Sequence, residues 1–136
     1  MAKLVLTGVY LSLNATTLHQ YIRKAELSVE VEDADVTNFS SGGWTEVIGG
    51  LKSGELAVEF LQDFANGALD ATLWPLLGTV VPFELRATQS AVGTSNPKYT
   101  GNVLVNGWNP IEGGVGDEAS VSLSFPTSGA ITRATV

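Results

Sequence analysis

The chain of 136 residues and 14.3 kDa has room for one domain of ordinary size and not for two independent cores. Seven basic against fourteen acidic residues give a net charge of -7, which argues against a sequence-independent hold on nucleic-acid phosphates. With no Cys, one His and one Met, disulfide frameworks, thiolate nucleophiles, cysteine zinc sites and histidine clusters are excluded, while 44% apolar residues supply the material for a core.

The first eight residues lack the long apolar stretch and small-residue cleavage site of a secretory signal. No apolar run approaches the roughly 18 residues that cross a bilayer; the longest, near residues 73–81, is broken by Pro75 and Gly78. The expectation is a soluble protein used without membrane insertion. Asn14-Ala15-Thr16 matches a glycosylation triplet that carries no weight without a secretory signal. Residues 4–20 show no sustained core pattern, and residues 1–20 are expected to form an N-terminal arm that finds its partner on another chain.

Period-two alternation then takes over. Leu27, Val29 and Val31 lie on one side of a strand, with Glu26, Ser28, Glu30 and Glu32 on the other. After a polar loop over 38–43, Leu56, Val58 and Phe60 oppose Glu55, Ala57 and Glu59, with Lys52-Ser53-Gly54 read as the turn before them. Residues 63–67 punctuate the chain. Leu69, Leu73, Trp74 and Leu77 follow at helical intervals within 68–78, the one helix expected. Pro75 keeps it short or kinked unless the proline sits in the first turn of a later-starting helix. Strands are expected over 80–88, 99–108 and 118–125, joined by loops at 93–97 and 109–116. In the last strand Ala119, Val121, Leu123 and Phe125 alternate with Ser120, Ser122 and Ser124. A short strand over 130–134 leads into a tail at 132–136. The fold class is mainly β: a single domain over 1–136, an antiparallel β-sandwich or partly closed barrel with one short α-helix covering an edge or an open end.

No active site emerges. His19 has no serine elbow to serve and reads as a surface or packing residue. Asp33 and Asp35 open like a calcium loop, but the glycine is missing and Trp44 stands where the closing glutamate belongs. Regularly spaced glutamates on one wet face share similar environments, unlike a glycosidase pair whose pKa values must be split. Gly113-Gly114-Val115-Gly116 precedes neither a Lys-Ser pair nor a helix and reads as a turn. Trp44, Trp74 and Trp108, without a basic groove, read as packing or interface residues. Neither an enzyme nor a cofactor is expected.

Several segments in order resemble the major tail tube protein of long, non-contractile-tailed bacteriophages. They are Gly43-Trp44-Thr45-Glu46-Val47 with Lys52-Ser53-Gly54-Glu55-Leu56, the helical stretch over 69–77, Pro82-Phe83-Glu84-Leu85-Arg86, Tyr99-Thr100-Gly101-Asn102-Val103, and the run from Gly116 to Phe125 followed by Gly129 and Ile131. The resemblance covers residues 26–135 and rests on the order of elements. It implies a structural virion protein, located in the tail tube, whose homohexameric rings share one multi-subunit barrel. The rings stack around the tape measure protein, end at tail terminator and distal tail or baseplate proteins, and later pass genomic DNA without specific binding; no membrane partner is implied. A closed barrel of about eight strands is filled by its own side chains and open bores need roughly sixteen or more, so several chains must contribute. Six copies carry about -42, and acidic groups facing the bore would repel phosphates at short range. Glu30, Glu32, Glu55 and Glu59 are the lumen candidates, with the outer wall as the alternative placement. Contacts between subunits or rings are assigned to the arm through Leu4, Val5 and Leu6, to the 35–50 loop through Asp35, Asn38, Trp44 and Ile48, and to the 132–136 tail through Arg133 and Val136. Two alternatives stay open: the tube ring protein of a contractile injection or secretion system, and a carbohydrate-binding or decorative β-sandwich module.

Overall fold

The structure, a computed structural model, describes residues 3–136; Met1 and Ala2, the first residues of the expected arm, lie outside the described residues. In chain order the strands are β1 (Tyr10–Leu13), β2 (Thr16–Thr17), β3 (Ile22–Asp35), β4 (Val47–Leu61), β5 (Val80–Arg86), β6 (Lys98–Leu104), β7 (Ser120–Pro126) and β8 (Thr132–Ala134). They form two antiparallel sheets, one ordered β2-β1-β5-β6-β8 and the other β3-β4-β7. Between β4 and β5 lies α1 (Leu69–Leu73), which tightens at once into a 3₁₀ turn, Trp74–Leu76. Pro75 falls in the first turn of that tighter segment, where its missing N–H costs nothing, and the α-helix ends before it.

The sheets face each other over one core. Leu56, Val58 and Phe60 of β4 and Val121 and Phe125 of β7 meet Leu11 and Leu13 of β1, Val81 and Phe83 of β5 and Val103 of β6. Leu69 and Leu73 of α1 close one end, with Leu18 and Trp108 also buried. Each such side chain contributes about 1.5–3 kcal/mol by leaving water.

Three expectations are corrected. The N-terminal stretch is core as well as arm: Leu11, Leu13 and Leu18 are buried, and β1 pairs β5 along its whole length. The turn that joins β1 to β2 in a hairpin is Asn14-Ala15, both at positive φ (52° and 64°), the backbone a two-residue hairpin loop demands. The residues before Tyr10 run outside the sheets, held by a parallel bridge from Gly8 to Thr88.

Second, residues 35–50 are not loop throughout. Asp35 ends β3 and Val47 begins β4, so the connecting loop is 36–46. Third, Lys52-Ser53-Gly54 makes no turn, because β4 continues through it and pairs Lys52, Ser53 and Gly54 with Val31, Glu30 and Val29. The glycine serves close approach there. A Cβ at residue 54 would stand 2.5 Å from Ile131 Cδ1 and 3.1 Å from both the Ser28 carbonyl and Thr127 Oγ1. Gly54→Ala is therefore expected to cost about 1–3 kcal/mol by overpacking. Adding Ile131→Ala should recover part of that loss, read as denaturation midpoints in urea.

Candidate functional site

With α1 and the five-stranded sheet on one side of β3-β4-β7, the opposite face of that sheet meets solvent. Register sets its composition. Glu30 lies opposite Ser53; Ser28 opposite Glu55, which opposes Pro126; Glu26 opposite Ala57, then Ser124; and Lys24 opposite Glu59, then Ser122. No glutamate on this face directly opposes another. Like charges across a ladder destabilise it, and alternating Glu with Ser, Ala or Lys gives an acidic surface without that penalty. A register shift between Val31 and Asp33 accommodates Glu32, which alternation along β3 keeps on the side of Glu30. The four lumen candidates thus share one face, together with Glu26 and the serines of β7.

Sequence reasoning missed the group that ties this face together. A register shift at the start of β3 leaves Arg23 unpaired, and its guanidinium donates to Glu59 and, at 2.7 Å, to Glu118. Ser122 donates to the other Glu59 oxygen at 3.2 Å. The Arg23 hydrogen bond holds the Glu59 carboxyl below its ordinary range, with Ser122 helping; Arg23 does the same to Glu118, and both carboxylates raise Arg23. Depressed carboxylate pKa values add stability that is complete above the unfolded value and is lost as pH falls. Acidification through and below about pH 4.3 should therefore weaken the link between β3, β4 and β7. In Arg23→Gln the loss of melting temperature between neutral and acid pH should be smaller than in the parent. The difference is modest, because the cluster is open to solvent.

A second surface is the distal half of the β3–β4 hairpin, which leaves the sandwich behind. Val29 and Val31 on β3 and Val47, Ile48 and Leu51 on β4 are all exposed, as are Phe39 and Trp44 in the loop. The loop itself is built. The Asp35 carboxylate accepts from the Thr37 N–H at 2.8 Å, Asn38 Oδ1 from the Ser40 N–H at 2.9 Å, and Val36 N–H reaches the Glu46 carbonyl at 2.9 Å. The hydroxyl and then the amide of Thr37 hold the Asp35 pKa down. Asp35 and Asn38 are thus engaged in shaping the loop, while Trp44 (78% exposed) and Ile48 (57%) are free to meet a partner. An early signal was available: the β3 alternation continues through Val29, at the border of the sandwich, to Val31, which is exposed.

The remaining contact candidates are scattered. Leu4, Val5 and Leu6 are exposed in the segment before β1, Arg133 sits on β8 at the edge of the five-stranded sheet opposite Tyr99, and Val136 is exposed. The tryptophans divide. Trp108 is buried, edge-on to Phe60 with centroids 5.8 Å apart, and its indole N–H donates to Asp70 at 2.9 Å. Trp44 and Trp74 are exposed. His19 packs against Tyr10, ring centroids 5.4 Å apart. The 113–116 glycines form a turn in which the Asp117 carboxylate accepts from Gly114 N–H at 2.9 Å. Among the described residues no helix is long and apolar enough to cross a membrane, and no group of three or more His, Cys, Asp or Glu is arranged to hold a metal.

No protein-family model matches the chain, and no curated protein matches it at a significant level. Solved structures do. A chain in the virion of a native gene transfer agent particle superposes with a TM-score of 0.73 at 23% identity, covering 92% of this chain and 94% of that one. A chain in the tail of an empty gene transfer agent particle, refined helically with C6 symmetry, gives 0.64 at 23% identity over 82% and 81%. The mainly β fold with one short α-helix that the sequence pattern predicted is the fold observed, and the chain shares it with components of the virion and of the C6 tail of gene transfer agent particles.

Proposed function

We propose that this protein is the structural subunit of a virion tail, assembling as stacked six-fold rings into a tube whose bore is lined by the Glu/Ser face of β3-β4-β7. The observation that carries this reading is the sheet itself: acidic and polar on its outward face, apolar on the other, and flanked by strands β3 and β7 that have no further strand beside them in the sheet among the described residues. Such edges are templates for pairing with another chain. Six copies contributing three strands each supply about eighteen, in the range where barrels leave an aqueous channel. Likeness in fold to chains of a virion and a C6 tail supports the same reading. A bore lined by carboxylates and small hydroxyls passes a polyanion, because phosphates meet repulsion where a basic lining would bind them through released counterions. Tape measure protein inside the tube, terminator and distal proteins at its ends, and ejection of genomic DNA through it belong to this reading.

The exposed apolar groups of the hairpin suit a docking role between copies, since apolar surface projecting into water is stabilised by burial on a neighbour. Purified protein should form large, concentration-dependent species on a sizing column and rings or tubes in negative stain. Solitary particles at every concentration, including with a natural initiator complex, would sink the proposal. Trp44→Asp with Ile48→Asp should abolish the large species while leaving the melting temperature of the free subunit within a few degrees of the parent, because neither side chain contributes to the core. Assembly at the parental concentration would remove the hairpin from the interface.

A further inference from the structure

The strand count of the polar sheet constrains how copies can meet, given the ring reading above. Strands β3 and β7 are both antiparallel to β4, so they run in the same direction. Rotation about a ring axis preserves strand direction. If β7 of one copy met β3 of the next directly, every seam would be a parallel pairing, with slanted hydrogen bonds and less stability per residue. An even number of strands per copy removes that mismatch.

A fourth strand is at hand. The segment before β1 runs beside the free edge of β3 without joining it. Leu6 and Val9 border an apolar cleft of about 410 Å³ with Ala25, Leu27 and Val29. Thr7 and Gly8 border a second cleft, about 320 Å³, with Ile22, Arg23 and Lys24. Leu6 and Val9 border both clefts, so the segment flanks β3 from Ile22 to Val29, and the antiparallel sense is the one that an all-antiparallel ring requires. Among the described residues no backbone hydrogen bond ties 4–7 to the domain, and the first fixed point is the bridge from Gly8 to Thr88. Leu4-Val5-Leu6-Thr7 is free of proline and largely exposed, with donors and acceptors available for a ladder. Alternation puts Leu4 beside Leu6 on the apolar side, where they would cover Leu27 and Val29.

We propose that in the ring residues 4–7 close onto the β3 edge of their own copy as a fourth, antiparallel strand, and that the outer side of this strand receives β7 of the neighbouring copy. Every pairing around the barrel is then antiparallel, and the clefts beside β3 disappear as the ring closes. The segment acts as the seam between subunits.

Hydrogen exchange on assembled wild-type tubes and on the free subunit tests this directly. The amides of Val5, Leu6 and Thr7 should exchange freely in the subunit and become protected in the tube. Successive N–H groups of a strand point to opposite sides, so Val5→Pro and Leu6→Pro each remove a donor, one toward β3 and one toward β7. Both variants should raise the concentration needed for assembly by about tenfold, while Val5→Thr restores it. Tubes whose Val5–Thr7 amides remain as open as in the subunit, or proline variants that assemble at the parental concentration, would overturn the seam and leave the ring reading intact. Wild-type protein that forms no ring would overturn both.

Discussion

Tubes built from Glu30→Lys, Glu55→Lys protein are expected to form and then to trap DNA. The two positions lie opposite Ser53 and Ser28 on the polar face, make no ion pair, and stand outside the Arg23 cluster that engages Glu59. Each copy moves from -7 to about -3, and a six-fold ring gains about twenty-four positive units on one surface. A duplex that neutralises around six of these lysines binds with an affinity that falls roughly 10³-fold between about 50 and 200 mM salt. The measurement is DNA retained by purified tubes across that salt range, with nuclease added. Retained, nuclease-protected DNA places the face in the bore. DNA that is bound but digested places it on the outer wall, and unchanged particle infectivity or gene delivery with the lysine subunit removes its role in transit.

Phe60→Ala should cost about 3–5 kcal/mol, a large share of the total stability of a domain this size. Phe60 is 1% exposed on the central strand of the three-stranded sheet, between Ile22 on β3 and Val121 on β7. Its ring also stands edge-on to Trp108, which Asp70 pins to α1. Truncation opens a cavity at the point where sheet, helix and the segment after β6 converge, and none of the three can collapse into it without breaking the indole hydrogen bond. Chemical denaturation should show a lower midpoint. A loss under 1 kcal/mol would mean that Trp108 refills the space.

Alternation carried most of the fold. Leu56, Val58 and Phe60 against Glu55 and Glu59, and Val121 and Phe125 against the serines of β7, were readable because one face of each strand is dry and the other wet. Pro75 likewise marked where α-helical hydrogen bonding stops. What was hidden depended on partners distant in sequence. β1 is only four residues long and closes with Asn14-Ala15, a pair that reaches positive φ without the usual glycine, so its period was too brief to register. Lys52-Ser53-Gly54 looks like a turn until Ile131, more than seventy residues later, is known to press on Gly54. At the candidate site the four glutamates were grouped correctly by alternation, whereas Arg23 and Glu118 belong to the cluster only through a register shift and a loop that no local pattern announces.

The uneven burial of the longest hairpin has a thermodynamic corollary. Near Ile22 and Phe60 its strands rest on the core, and toward Asp35 and Val47 they rest on each other alone. An isolated two-stranded ribbon is marginal in water, so cohesion must decline steadily from root to tip, and a free subunit should fray from the far end first. Association then has to meet the entropy of ordering that tip, which lowers the affinity of the first encounters relative to their contact area. On the proposed assembly, a subunit arriving at a finished rim would find the mate for its tip already held in place, and growth from an existing end is expected to outrun the birth of new filaments.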